Sequence, residues 1–258
     1  YNLPASTILN GAKYMAATIW SGTNSSTGTT ASFTNTVNGV SFQPDFVWIK
    51  NRSNAYAHNL YDSVRGTGSS KNLFSNTTNA EGVDANLYGY VSALNSNGFT
   101  VTNGSDVTYA GIWVNQSSQT FVAWQWKAGG TAVTNTAGSI TSQVSANTTS
   151  GFSVVTYTAG ATNATVGHGL GVAPAMIITK SRTNVISWPV YHSALGKDKY
   201  LILNLTDAAG SSTNYWGTTG PNSTTFGLAD AGYANNTGNM VAYCFAAIPG
   251  YSAFGSYT

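Results

Sequence analysis

The 258-residue chain carries a net charge of +2, and only 7% of its side chains are charged, against roughly 25% in an average soluble protein. With no basic run, it lacks what phosphate-directed nucleic-acid binding needs. No apolar stretch is long enough to cross a bilayer as a helix, which argues against membrane insertion, and the one cysteine, Cys244, excludes an internal disulfide. Hydrophobic residues make up 42%, enough for a real core, while Ser, Thr, Asn and 28 Gly supply most of the polar surface. The chain opens without Met or a signal-peptide layout and reads as a piece of something longer.

In chain order, the first strand signal is "AATIWSGT" (16–23). "FQPDFVWIKNR" (42–52) follows, a short β-branched and aromatic run entered through Pro44. Proline cannot donate a ladder hydrogen bond, so it suits a strand's first residue. "NLYDSVRG" (59–66) reads as a further strand and turn. "EGVDANLYGYVSALNSNGF" (81–99) is rich in Gly, Asn and Ser and allows a short helical turn. "GFTVT" (98–102) is a strand, and "TFVAWQWKAGG" (120–130) alternates so that Val122, Trp124 and Trp126 share one face. Core packing is the default expectation for Trp48, Trp124 and Trp126. Segment 129–150 is small, polar and uncharged; "GSITSQVS" within it is expected as an edge strand pairing with 151–158.

The second half repeats the first. "VAPAMIITKSR" (172–182) echoes 42–52 at an offset of 130, placing Pro174, Lys180 and Arg182 on Pro44, Lys50 and Arg52. At the same offset "PVYHSALG" (189–196) echoes "NLYDSVRG", with Tyr191 on Tyr61 and His192 on Asp62. "NMVAYCFAAIPG" (239–250) resembles 120–130 with Val241 on Val122, and "SVVTYTAG" (153–160) resembles 16–23 with Tyr157 on Trp20. "FGSYT" (254–258) resembles the start of the same strand. The expectation is an all-β chain of two tandem β-sandwich repeat units, 1–130 and 131–250, with 251–258 beginning a third unit or forming a C-terminal extension.

The repeated Lys50, Arg52 and Tyr61, with Lys180, Arg182 and Tyr191, have the chemistry to bind an acidic sugar, but read better as a structural clasp inside each unit. His58, His168 and His192 have no metal-ligand spacing, and "VGHGLGVAP" (166–174) follows no nucleotide-binding pattern. Glu81 and Asp84 are the nearest thing to a hydrolase acid pair, yet they sit in turn-like sequence. Cys244 matches Gln125 and is read as a replaceable strand residue. No catalytic residue, metal or cofactor is called for. Aromatic faces stack on sugar rings, so Trp113, Tyr215 and Trp216, in polar surroundings, are the candidates for glycan or partner contact.

The segments "FQPDFVWIKNRS", "FVAWQWKAGGTAV", "SITSQVSANTTSGFSVVTYT", "VGHGLGVAPAMIITKSR" and "VAYCFAAIPGYSAFGSYT" resemble repeat regions of large structural proteins of marine, cyanophage-type bacteriophages, often described as tail-fibre or other virion-associated proteins. The resemblance runs from about Asn2 to Thr258 and brings no catalytic motif. It implies a non-enzymatic structural module of a phage tail fibre, virion appendage or extracellular filament. Such a module would assemble in the host cytoplasm and be displayed outside, with copies of itself and other virion proteins as partners. The alternative is an adhesin recognising host surface glycans. A weakly charged surface suits a salty medium, where screening leaves surface charge little to contribute.

Overall fold

The computed structural model describes residues 6–24, 34–160, 163–229, 233–235 and 237–257. The chain is all-β and divides into two compact units. Ala12–Lys127 forms the N-terminal unit; the chain from Ala128 onward, with residues 6–11, forms the C-terminal unit.

The N-terminal unit contains β1 (Met15–Ser21), β2 (Thr34–Asn38), β3 (Phe46–Asn51), β4 (Asn59–Asp62), β5 (Leu73–Phe74), β6 (Tyr90–Asn95), β7 (Gly98–Thr102) and β8 (Thr120–Trp126). A short helix, α1 (Ala85–Tyr88), accounts for the helical turn expected within 81–99. The strands form an antiparallel sheet in the order β1-β8-β3-β4-β5 and a second in the order β2-β7-β6. Val47, Ile49, Tyr61, Phe121 and Ala123 of the first sheet share one core with Val37, Val91, Phe99 and Val101 of the second. Trp20 lies parallel to Phe121 at 5.4 Å and edge-on to Phe99 at 5.6 Å. Two sheets burying one face each against the other are a β-sandwich.

The C-terminal unit contains β9 (Val133–Asn135), β10 (Ser142–Asn147), β11 (Phe152–Ala159), β12 (Ala164–Gly167), β13 (Met176–Ser181), β14 (Pro189–His192), β15 (Lys199–Ile202), β16 (Gly210–Ser211), β17 (Thr225–Leu228) and β18 (Gly238–Phe245). Its large sheet runs β16-β15-β14-β13-β18-β11-β10-β9, and β12 pairs with β17. Val155, Tyr157, Ile177, Met240, Ala242 and Cys244 pack with Val166, Phe226 and Leu228, and Trp216 joins the same core.

The orders β1-β8-β3-β4-β5 and β11-β18-β13-β14-β15 are the same path in the two units. Register agrees residue by residue. Trp20 pairs with Phe121 as Tyr157 pairs with Met240, and Phe46 pairs with Trp126 as Met176 pairs with Phe245. The residues after the two prolines open the ladder in the same way: Asp45 N–H donates to Trp126 O at 2.8 Å and Ala175 N–H to Phe245 O at 2.7 Å. After β4 and β14 the chain turns through Gly66 (φ +88°) and Gly196 (φ +80°), a left-handed conformation that a side chain would strain.

Two local expectations differ from the structure. Segment 142–147 does pair with β11, but β9 covers its other side, so β9 is the edge strand. Residues 254–257, expected to resemble the start of a strand, are not in a strand. Phe254 packs 6.5 Å from Phe245 and 6.3 Å from His192.

Candidate functional site

On β8, Phe121, Ala123 and Gln125 are buried while Val122, Trp124 and Trp126 face outward. On β3, Val47, Ile49 and Asn51 are buried while Trp48 and Lys50 are half-buried on the opposite face. Register places Trp48 directly across from Trp124, and Phe46 across from Trp126. Cross-strand neighbours share a face, so these aromatics gather on the outside of the five-stranded sheet. On β1, the residue opposite Trp124 is the small, exposed Ala17, which leaves the flank of that indole open.

Trp48 and Trp126 are held in place by neighbouring rings. Trp48 Nε1–H donates to His58 Nδ1 at 3.0 Å, with the two rings 6.1 Å apart and nearly perpendicular. Phe46 stacks on Trp126 at 5.2 Å and meets Trp48 edge-on at 6.3 Å. Trp48, His58, Trp124 and Trp126 line an open, uncharged groove of about 340 Å³. Sequence reasoning assigned these tryptophans to the core. Alternation shows which residues share a face, but not which face a second sheet will cover. In the C-terminal unit the matching positions are Ile178, Trp188, Tyr243 and Phe245, and the first three of these are buried. The set of three outward tryptophans therefore belongs to the N-terminal unit.

The aromatics expected to meet a sugar lie elsewhere. Trp113 is buried edge-on between Phe74 at 4.7 Å and Tyr88 at 5.0 Å. Trp216 is fully buried, edge-on to Tyr191 at 5.8 Å. Tyr215 is also buried, stacked on Tyr200 at 4.0 Å, with one edge on a pocket of about 220 Å³ that Ser187 and Asp207 share. Polar neighbours in sequence masked three side chains whose apolar area is withdrawn into the sandwiches.

The Lys-x-Arg and Tyr residues do not form one clasp. Lys50 faces outward and donates to the carbonyls of Asn51 and Asn54. Its copy Lys180 donates to Asn184 O at 3.3 Å and Ile186 O at 2.9 Å, beneath the Trp188 ring. Each lysine ties down the loop that follows its strand, and burial pushes Lys180 down to about 8. Tyr61 and Tyr191 pair with Val47 and Ile177, three residues before the lysines and therefore on the core face. Burial raises both phenols above their ordinary range. Arg52 is exposed, while Arg182 is half-buried at the edge of a polar pocket.

Asp62, Glu81 and the three histidines have structural partners. Arg65 Nε bonds Asp62 at 2.5 Å and its Nη1 bonds Glu81 at 2.9 Å, so Glu81 is tied into an ion network. His168 accepts from Leu170 N–H through Nδ1 and contacts Asn222 O through Nε2; His192 Nδ1 accepts from Ala194 N–H. Among the described residues no group of three or more His, Cys, Asp or Glu can hold a metal ion. Burial pushes the Cys244 thiol up to about 12, which disfavours the thiolate.

Burial, with Lys50 adding to the effect, lowers the His58 pKa; burial also lowers that of His168. Protonation would cost each ring its Nδ1 acceptor role. The unfolded chain takes up these protons first as pH falls through about 6.5, so folding stability present above that pH is lost on acidification. The urea midpoint is expected to fall between about pH 7.5 and 5.5, and the fall is expected to shrink in His58→Gln and His168→Gln.

The chain is a duplicated antiparallel β-sandwich with an aromatic outer face on one copy. Residues 10–258 match the family described as Domain of unknown function (DUF7483), and the chain belongs to that family. No curated protein matches the chain, and no solved structure does.

Proposed function

We propose that the chain is a non-catalytic β-repeat module of a virion appendage or extracellular filament, and that its N-terminal unit binds saccharide on the face built by Trp48, Trp124, Trp126 and His58. The groove these residues line carries the reading. Indole faces stack on the apolar C–H faces of pyranose rings, and stacking loses little entropy where a ring is already held, as Trp48 and Trp126 are. A volume of about 340 Å³ lies within the roughly 300–1,000 Å³ of small-ligand sites. Display is supported by two sandwiches of one design in tandem, by a sparsely charged surface, and by the resemblance of the repeats to virion proteins. Copies of the chain and other virion proteins are its proposed partners.

The test is a glycan array followed by titration of the best saccharide with tryptophan fluorescence. Trp124→Ala is expected to weaken binding by about 30-fold or more, the effect of removing an aromatic anchor. The urea midpoint should stay close to that of the wild type, because Trp124 points away from the core. No binding of any saccharide at millimolar concentration, or wild-type binding by Trp124→Ala, would overturn the saccharide reading. Self-association that Trp124→Ala disperses would make the same face a contact between copies.

A further inference from the structure

Arg182 lines a second site, of different chemistry, on the C-terminal unit. Thr141, Gln143, Thr156, Thr158, Asn239 and Arg182 border a pocket of about 160 Å³. The strands explain the grouping. Gln143 pairs with Thr156, and Thr158 pairs with Asn239, so neighbouring strands bring hydroxyls and amides together. Thr158 Oγ1 donates to Asn239 Oδ1 at 3.3 Å. Arg182 is anchored beside them by its own N–H, which donates to Asn239 O at 2.8 Å. It is the only charged side chain among the described residues lining the pocket.

The N-terminal copy shows what this surrounding adds. Arg52 N–H makes the matching bond to Thr120 O at 2.8 Å, yet Ile19 and Ser21 stand where the C-terminal unit has Thr156 and Thr158. Among the described residues of that unit β1 is the sheet edge, with no counterpart of β10 to contribute a Thr141 or Gln143. The same arginine is therefore exposed in one unit and set among hydroxyls and amides in the other.

We infer that this pocket of the C-terminal unit binds the anionic group of an acidic saccharide, a carboxylate or a sulfate ester, through Arg182. A guanidinium offers a planar fork of donors to two oxygens of such a group. The surrounding Thr, Gln and Asn side chains suit the hydroxyls of the same ring. This site is separate from the aromatic groove and does not depend on saccharide binding there.

The experiment is calorimetric titration of the full chain at low salt with three tetrasaccharides: oligogalacturonate, its methyl ester, and a sulfated galactan fragment. At least one of the two anionic tetrasaccharides is expected to bind, and the one that binds identifies the anion. The uncharged methyl ester is expected to bind about tenfold more weakly or worse, and added salt to weaken the anionic ligand. Arg182→Gln keeps the backbone bond to Asn239 and is expected to lose about tenfold or more in affinity. Asn239→Asp, which keeps the acceptor for Thr158 but adds a negative charge, is expected to do the same. Arg52→Gln is expected to bind like the wild type. The inference is overturned if neither anionic tetrasaccharide binds, if the ester binds equally well, if both pocket variants retain affinity, or if Arg52→Gln loses as much.

Discussion

Arg65→Leu is expected to cost the N-terminal unit about 3–5 kcal/mol, the usual penalty for breaking a buried ion pair from one side. Both partners of the Arg65–Asp62 bridge have fully buried side chains, and Glu81 is only 10% exposed. Arg65 also donates to the carbonyls of Leu60 and Lys71, so one guanidinium fastens the end of β4 to the chain leading into β5. Without it, Asp62 and Glu81 would lose their shared cation. The C-terminal unit builds the same turn another way: His192 and Leu195 occupy the places of Asp62 and Arg65, and His192 Nδ1 accepts from Ala194 N–H as Asp62 Oδ1 accepts from Val64 N–H. Combining Asp62→His and Glu81→Gln with Arg65→Leu removes every charge of the network and is expected to recover at least half of the loss. Urea titration and amide exchange in β4 and β5 check both results. A loss under about 1 kcal/mol in Arg65→Leu, within the range of surface substitutions and small losses, would mean that the network does not hold the sheet.

The duplication was legible because it survives as ordered matches across strands. Lys50 and Lys180, or Val122 and Val241, keep their register when the sheets form. Strand boundaries followed from Pro44 and Pro174, since proline's missing donor marks where a ladder can begin. The small strand β9 was not legible: "TAVTN" is short and polar, and it is a strand only because β10 offers it an edge. That is a non-local cause.

The candidate site was harder to read for the same reason. "VAWQW" states that Val122, Trp124 and Trp126 share a face, but large aromatics suggest the core and Gln125 suggests solvent. The sandwich reverses this: Gln125 is fully buried, its amide donating to Thr18 Oγ1 at 2.9 Å. The second sheet covers the Phe121, Ala123 and Gln125 side, and nothing local to β8 specifies that. Trp113 and Trp216 err in the opposite direction. Asn, Ser, Thr and Gly beside them describe the backbone's surroundings, while the indole itself goes wherever apolar area can be withdrawn from water.

Trp216→Ala is expected to destabilise the C-terminal unit by about 3–5 kcal/mol, the range for truncating a buried aromatic to a cavity. The indole is fully buried among Tyr191, Tyr215 and the β12–β17 pair. Trp216→Phe should cost much less. The Trp216 Nε1–H finds no acceptor among the described residues, and a buried donor left unmet costs about 1–3 kcal/mol. Phenylalanine gives up ring area but also removes that donor, so the two changes partly offset and the loss is expected to be at most about half that of Trp216→Ala. Urea midpoints measured for the pair decide this. If Trp216→Phe is as damaging as Trp216→Ala, the N–H has a partner and the whole indole is required. The contrast with Trp124 matters for function as well. Loss of saccharide binding in Trp216→Ala would come with a collapsed melting transition and would report unfolding, whereas loss in Trp124→Ala at an unchanged midpoint would report a missing contact. An alanine scan of this chain therefore has to be sorted by which side of the sheet each tryptophan occupies before any of it is attributed to a ligand.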